Sequence, residues 1–138
     1  MRPQPVIEKP VPTPSADSLP FFEGAKEGRL MLQRCGACGK HRFVARRRCD
    51  ACGSPESAWV QATGNATLVS FARVHQKFHP AFAAETPYPI ATVELAEGPR
   101  LLAGLVGVEG KPLKAGMALR VEFVAAGPEW KIPKFRPA

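Results

Sequence analysis

The sequence is poor in long apolar runs, in aspartate, in histidine and in any cysteine outside one cluster. No stretch approaches the roughly 18 apolar residues that a membrane-spanning helix needs, so none is expected. The N-terminal MRPQPVIEKPVPTP has no apolar h-region of the secretory kind, and the address expected from it is cytoplasmic. Aspartate occurs only at Asp17 and Asp50, and histidine only at His41, His75 and His79. No carboxylate of that type therefore stands near His75 or His79 to orient a catalytic ring. What the chain does have is 138 residues, enough for one domain or one domain plus a small appendage. Its 15 Pro and 12 Gly point to a turn-rich fold rather than a helical bundle. A formal charge of +7 raises a polyanion as a partner, though charge speaks to association and not to fold.

The cysteines are Cys35, Cys38, Cys49 and Cys52, spaced C-x2-C-x10-C-x2-C. A two-residue spacer turns the chain so that both thiolates of a pair can reach one metal ion. Gly39 and Gly53 follow the second cysteine of each pair, where the chain must curl with positive φ. Four thiolates are a soft tetrahedral set that selects zinc, or a single iron. Disulfides are disfavoured in a reducing compartment, and a redox CxxC has no use for a twin. The reading is a structural zinc site, closed and hence not catalytic, that stabilises a segment too short for its own core. His41, just beyond the first pair, reads as an exposed ribbon residue, because four thiolates already fill the tetrahedron.

Around this cluster the chain divides into four stretches. Residues 1–14 hold five prolines and read as an extended arm without a core. Residues 15–34 read as a short helix, capped by Asp17 or Ser18 and ended by Gly28, then a lead-in strand over 29–34. Leu19, Phe22 and Ala25 would share its apolar face, with Phe21 beside them. That face must pack either on the rest of the chain or on a partner. Residues 35–58 form the ribbon and 59–138 a barrel. Strands are expected at 66–74, 89–95, 100–106, 117–124 and 129–134, separated by turns such as Gly64-Asn65, Glu109-Gly110 and Gly127-Pro128. Five short strands of this kind suggest an OB-fold. The expected fold is mainly β: an N-terminal helix, a rubredoxin-like four-cysteine zinc ribbon and a five-stranded OB-fold barrel.

FFEGAKEGRLMLQRCGACGKHRF, CDACGS, ATLVSFARVHQ, PYPIATVELAEGPRLLAGLVG and AGMALRVEFV together carry a resemblance. Over about residues 17–137 the chain resembles the acyl-CoA-associated zinc-ribbon/OB-fold proteins, domain-of-unknown-function family thirty-five. The resemblance implies a non-catalytic accessory or scaffold subunit. Its partners would be thiolase-like condensing enzymes, acyltransferases, aldolases or MaoC-like hydratases, joined in a hetero-oligomer that helps hold acyl-CoA thioesters. Zn2+ would be structural, and a CoA thioester a shared ligand.

Two further groups of residues bear on that expectation. His75, Lys77, Phe78, His79, Phe82 and Tyr88 mix cationic, aromatic and apolar groups in a loop after the first barrel strand. They could meet a CoA ligand or a partner surface, or Phe78 and Phe82 could simply plug the barrel's open end. Lys40, Arg42, Arg46, Arg47 and Arg48 place five cations within nine residues of the ribbon, either a solvated face or a basic docking patch for an acidic partner. The alternative function is single-stranded nucleic-acid binding. It would need aromatic platforms interleaved with the cations, whereas Phe71 and Phe123 are expected in the barrel core.

Overall fold

In the computed structural model, residues 2–3 and 7–138 are described; positions 1 and 4–6 of the expected arm lie outside them. Helix α1 spans Leu19–Lys26, with Ser18 at its N-cap and Pro20 in the first turn, where a missing N–H costs nothing. The Ser18 hydroxyl engages Ser15 rather than a helix amide. The buried face of α1 is Phe21, Gly24 and Ala25, one position round from the expected stripe, with Phe22 half-buried. The face is set by what covers it: the Phe21 ring lies 5.3 Å from that of Phe43, and the Phe22 ring 6.1 Å from that of Trp130. The helix therefore packs within the chain, bridging the ribbon and the last strand.

The ribbon is a three-stranded antiparallel sheet, β1 (Met31–Cys35) between β2 (His41–Arg42) and β3 (Ser57–Gln61). Strand β3 crosses the expected boundary at 58/59, because it pairs along the whole of β1, from Met31 opposite Gln61 to Cys35 opposite Ser57.

Five further strands follow: β4 (Asn65–Val74), β5 (Tyr88–Leu95), β6 (Arg100–Gly104), β7 (Ala118–Ala126) and β8 (Trp130–Pro137), in the order β6-β5-β4-β7-β8. A bridge between Leu105 and Phe135, with the Val106 amide donating to the Phe135 carbonyl at 2.9 Å, nearly closes this sheet into a barrel. Strand β8 runs past the expected end at 134 despite Pro133 and Pro137. Proline is tolerated there because β8 has a full ladder on one side only. Phe135, Leu119, Leu68, Val93 and Leu95 fill the barrel. The same buried cluster continues into Phe21, Leu30 and Leu32, so helix, ribbon and barrel share one core. Phe123 packs against that core, but Phe71 does not and stays 44% exposed. A bulge between Leu68 and Ser70 re-aims β4, and beyond it only β5 accompanies the strand. No helix among the described residues is long and apolar enough to cross a membrane.

Candidate metal centre and barrel-mouth cleft

The two cysteine pairs fold into matching knuckles. Gly39 and Gly53 both adopt φ of 77°, and their amides return to the carbonyls of Cys35 and Cys49 at 3.0 and 2.9 Å. A side chain at either position would be strained, which explains the glycines. The Lys40 ammonium meets the Asp50 carboxylate at 2.9 Å and ties one knuckle to the other. The four sulfurs converge within 4.8 Å of one another, Cys35 to Cys52 at 3.5 Å and Cys38 to Cys49 at 3.6 Å. Tetrahedral zinc with bonds of about 2.3 Å needs sulfur–sulfur edges of about 3.8 Å, so the set fits that ion. His41 is not part of this cluster.

The environment prepares the sulfurs unequally. Cys35 and Cys49 are buried, and each accepts a backbone amide, from Cys38 and Ala51 respectively, at 3.4 Å. Donation from the Cys38 amide outweighs burial and brings the Cys35 thiol down to about 6. The amides of Cys52 and Ala51 lower Cys49 likewise. At Cys52 the Ser54 amide also lowers the pKa, but contact with the Cys35 sulfur, burial and the other two sulfurs raise it to about 11. A cation in the centre would draw all four to thiolate, with Cys35 and Cys49 the readiest ligands.

Of the five residues expected to form a basic patch, Arg42 does not reach the surface. Arg42 is 4% exposed, inside the ribbon, where its guanidinium bonds Gln33 and the Arg46 carbonyl. Lys40 is engaged with Asp50, Arg47 reaches Asp17 at 3.4 Å, and Arg48 donates to the Gly53 carbonyl at 3.1 Å. Arg46, Arg47 and Arg48 remain exposed.

The loop residues also separate. A short 3-10 helix, Pro80–Glu85, follows His79, whose Nδ1 accepts the Ala81 amide at 3.1 Å. The His79 ring meets Phe82 edge-on at 5.9 Å. Phe82 and Tyr88 line a cleft of about 370 Å³ at the barrel mouth, with Ile90, Leu105, Ile132 and Lys134. From the arm, Lys9 lies over the Phe82 ring at 5.3 Å and pairs with Glu85 at 2.9 Å. Phe78, 72% exposed, plugs nothing, and His75 and Lys77 stand beside it in solvent. Ile132, Lys134 and Lys9 escaped sequence reasoning because they arrive from both ends of the chain. No local pattern marks them.

These features define a class: a rubredoxin-like zinc ribbon joined through a shared core to an OB-fold. Residues 22–57 match the family model for the ChsH2 rubredoxin-like zinc ribbon domain, and residues 59–124 that for the ChsH2 C-terminal OB-fold domain. The chain belongs to this ChsH2-type family, also known as DUF35. It is 39% identical over 135 residues to the probable enoyl-CoA hydratase alpha subunit of Thermomonospora curvata, matching 98% of this chain and 42% of that one. It thus spans about two-fifths of that relative's length. A DUF35 domain-containing scaffold protein of Pyrococcus furiosus is 34% identical over 93 residues, 67% of each chain. Among solved structures, an Ltp2-ChsH2(DUF35) aldolase chain superposes with a TM-score of 0.82 at 40% identity, covering 91% of this chain and 98% of that one.

Proposed function

We propose that this chain is a non-catalytic accessory subunit of a cytoplasmic acyl-CoA-processing complex, joined to a hydratase, aldolase or thiolase-like condensing enzyme that supplies the chemistry. The observation that carries this reading is the likeness over nearly its whole length to a chain of the Ltp2-ChsH2(DUF35) aldolase. The convergence of all four cysteine sulfurs supports it, because it commits the thiols to a metal site. In this reading the zinc ribbon and α1 hold the barrel as a rigid docking body, and exposed Arg46, Arg47 and Arg48 steer it toward an acidic partner. The barrel-mouth cleft holds part of a CoA thioester shared with that partner. Apolar Ile90, Leu105 and Ile132 suit an acyl group, and Lys134 and Lys9 suit an anionic one.

The test is purification of the tagged chain from its native cell, followed by assay of the co-eluting enzyme. An acyl-CoA hydratase, lyase or condensing activity should require this chain, and its thioester affinity should fall when Tyr88→Ala or Phe82→Ala is introduced. A partner enzyme with the same thioester turnover in the presence and absence of the chain would overturn the reading.

A further inference from the structure

Strand β4 outruns its neighbour β7, while β6 still accompanies β5 as far as Ile90. Strand β7 pairs with β4 only at Asn65–Thr67, whereas Ser70–Val74 pair with Thr92–Tyr88 of β5 alone. Large apolar groups on this projection face solvent: Phe71 is 44% exposed, and Phe78, in the loop at its tip, is 72% exposed. Phe71 and Arg73 are alternate residues of one strand and share a face. Exposed His75 and Lys77 continue toward the tip. No acidic residue occurs from Ala62 to Ala84. Among the described residues, neither Arg73 nor Lys77 has an ion-pair partner.

The returning half of that loop is braced. Thr86 Oγ1 donates to the Ala83 carbonyl at 2.7 Å, the Ala81 amide to His79 at 3.1 Å, and Lys9 clamps Glu85 and Phe82. A loop held in one shape loses little freedom on binding, so its exposed aromatic groups can act as anchors.

We infer that this hairpin is the docking arm for the enzyme partner, with Phe78 and Phe71 entering an apolar socket whose rim carries carboxylates facing Arg73 and Lys77. The inference rests on the accessory-subunit reading above and names the surface that reading leaves open. Charge complementarity selects the acidic rim, since Arg73 and Lys77 have no ion-pair partner among the described residues and the one carboxylate of the loop, Glu85, is taken by Lys9. A nucleic acid fits less well. A strand-tracking groove needs a continuous row of cations and stacking platforms, and the Arg46–Arg48 run sits on the ribbon instead.

The experiment uses the full-length, zinc-loaded chain and the acyl-CoA-processing enzyme that co-purifies with it, with association followed by biolayer interferometry. Phe78→Ala should weaken the complex about tenfold or more, the loss typical of a truncated aromatic anchor. Phe71→Ala serves as a second, independent variant. Arg73→Glu with Lys77→Glu should slow association at low salt about tenfold and flatten its salt dependence. All three proteins should melt with the wild type, since the groups are exposed. Unchanged affinity in both phenylalanine variants, with unchanged association after charge reversal, overturns the docking arm while leaving the accessory reading intact. If no such enzyme binds the wild-type chain, both fall. A labelled single-stranded oligonucleotide is the control; micromolar binding that the same substitutions abolish also overturns the proposal.

Discussion

Nε of Arg42 donates to Oε1 of Gln33 at 2.9 Å inside the ribbon sheet, and the same oxygen accepts the Arg46 amide at 2.7 Å. One side-chain oxygen thus holds a buried guanidinium and the start of the arginine run. No carboxylate pairs with Arg42 among the described residues, and its Nη1 is buried without a partner. Gln33→Ala would strip a buried cation of its side-chain acceptor, leaving it only the Arg46 carbonyl, at a cost of about 3 kcal/mol. Gln33→Glu keeps the acceptor and adds a counter-charge, so its unfolding midpoint at pH 7 should equal or exceed that of the wild type. Urea denaturation of the two variants checks both the loss and its reversal of sign.

That relationship also shows where sequence reading stops. The knuckles were legible because C-x2-C-Gly is a local pattern whose geometry is fixed within five residues. Four of the five barrel strands were legible nearly to their ends from apolar stretches and turn glycines. Arg42 was not: in KHRFVARRR it looks like one more surface cation, and only its pairing opposite Gln33 takes it inside. Phe71 misled for the converse reason. Its strand looks like core, but whether a neighbour covers that height of the barrel depends on where β7 begins, about fifty residues later.

Gly24 sets helix propensity against packing. Alanine there would gain about 1 kcal/mol of intrinsic propensity. Its Cβ, however, would collide with the Met31 side chain and lie 3.1 Å from the Arg29 carbonyl oxygen. Overpacking of this kind costs about 1–3 kcal/mol, so Gly24→Ala should be net destabilising by about 1 kcal/mol. Combining it with Met31→Ala should cost less than the two single substitutions together, because the clash is gone. A double-mutant cycle by chemical denaturation reads this coupling.

Phe21 and Phe78 are the same residue type in opposite situations. Phe21 is buried between Phe22 and Phe43 and anchors α1 to the shared core. Phe21→Ala should cost about 3–4 kcal/mol in stability. Phe78→Ala should change stability by less than about 0.5 kcal/mol, since most of the residue lies in solvent. Thermal melts of the two variants side by side test this division between packing and surface. A comparable loss in both would mean that the tip loop packs in solution.

Removing the metal should unfold more than the ribbon. Leu30 and Leu32 leave the helix for the first knuckle, yet they belong to the same buried cluster as Leu68, Val93 and Phe135 of the barrel. Zinc binding free energy is folding free energy for a segment of this size. Chelation should therefore lower the midpoint of a single cooperative transition. A barrel that melted unchanged beside an already disordered ribbon would show the two to be independent. Cys35→Ser or Cys49→Ser should behave like chelation, because each removes a buried sulfur that backbone amides hold ready for the ion. Acid should act in the same direction, since protons compete with the metal for the thiolates and affinity falls as pH falls. Native mass spectrometry as the pH is lowered, beside calorimetry with and without chelator, would show whether loss of one zinc per chain coincides with loss of the barrel transition.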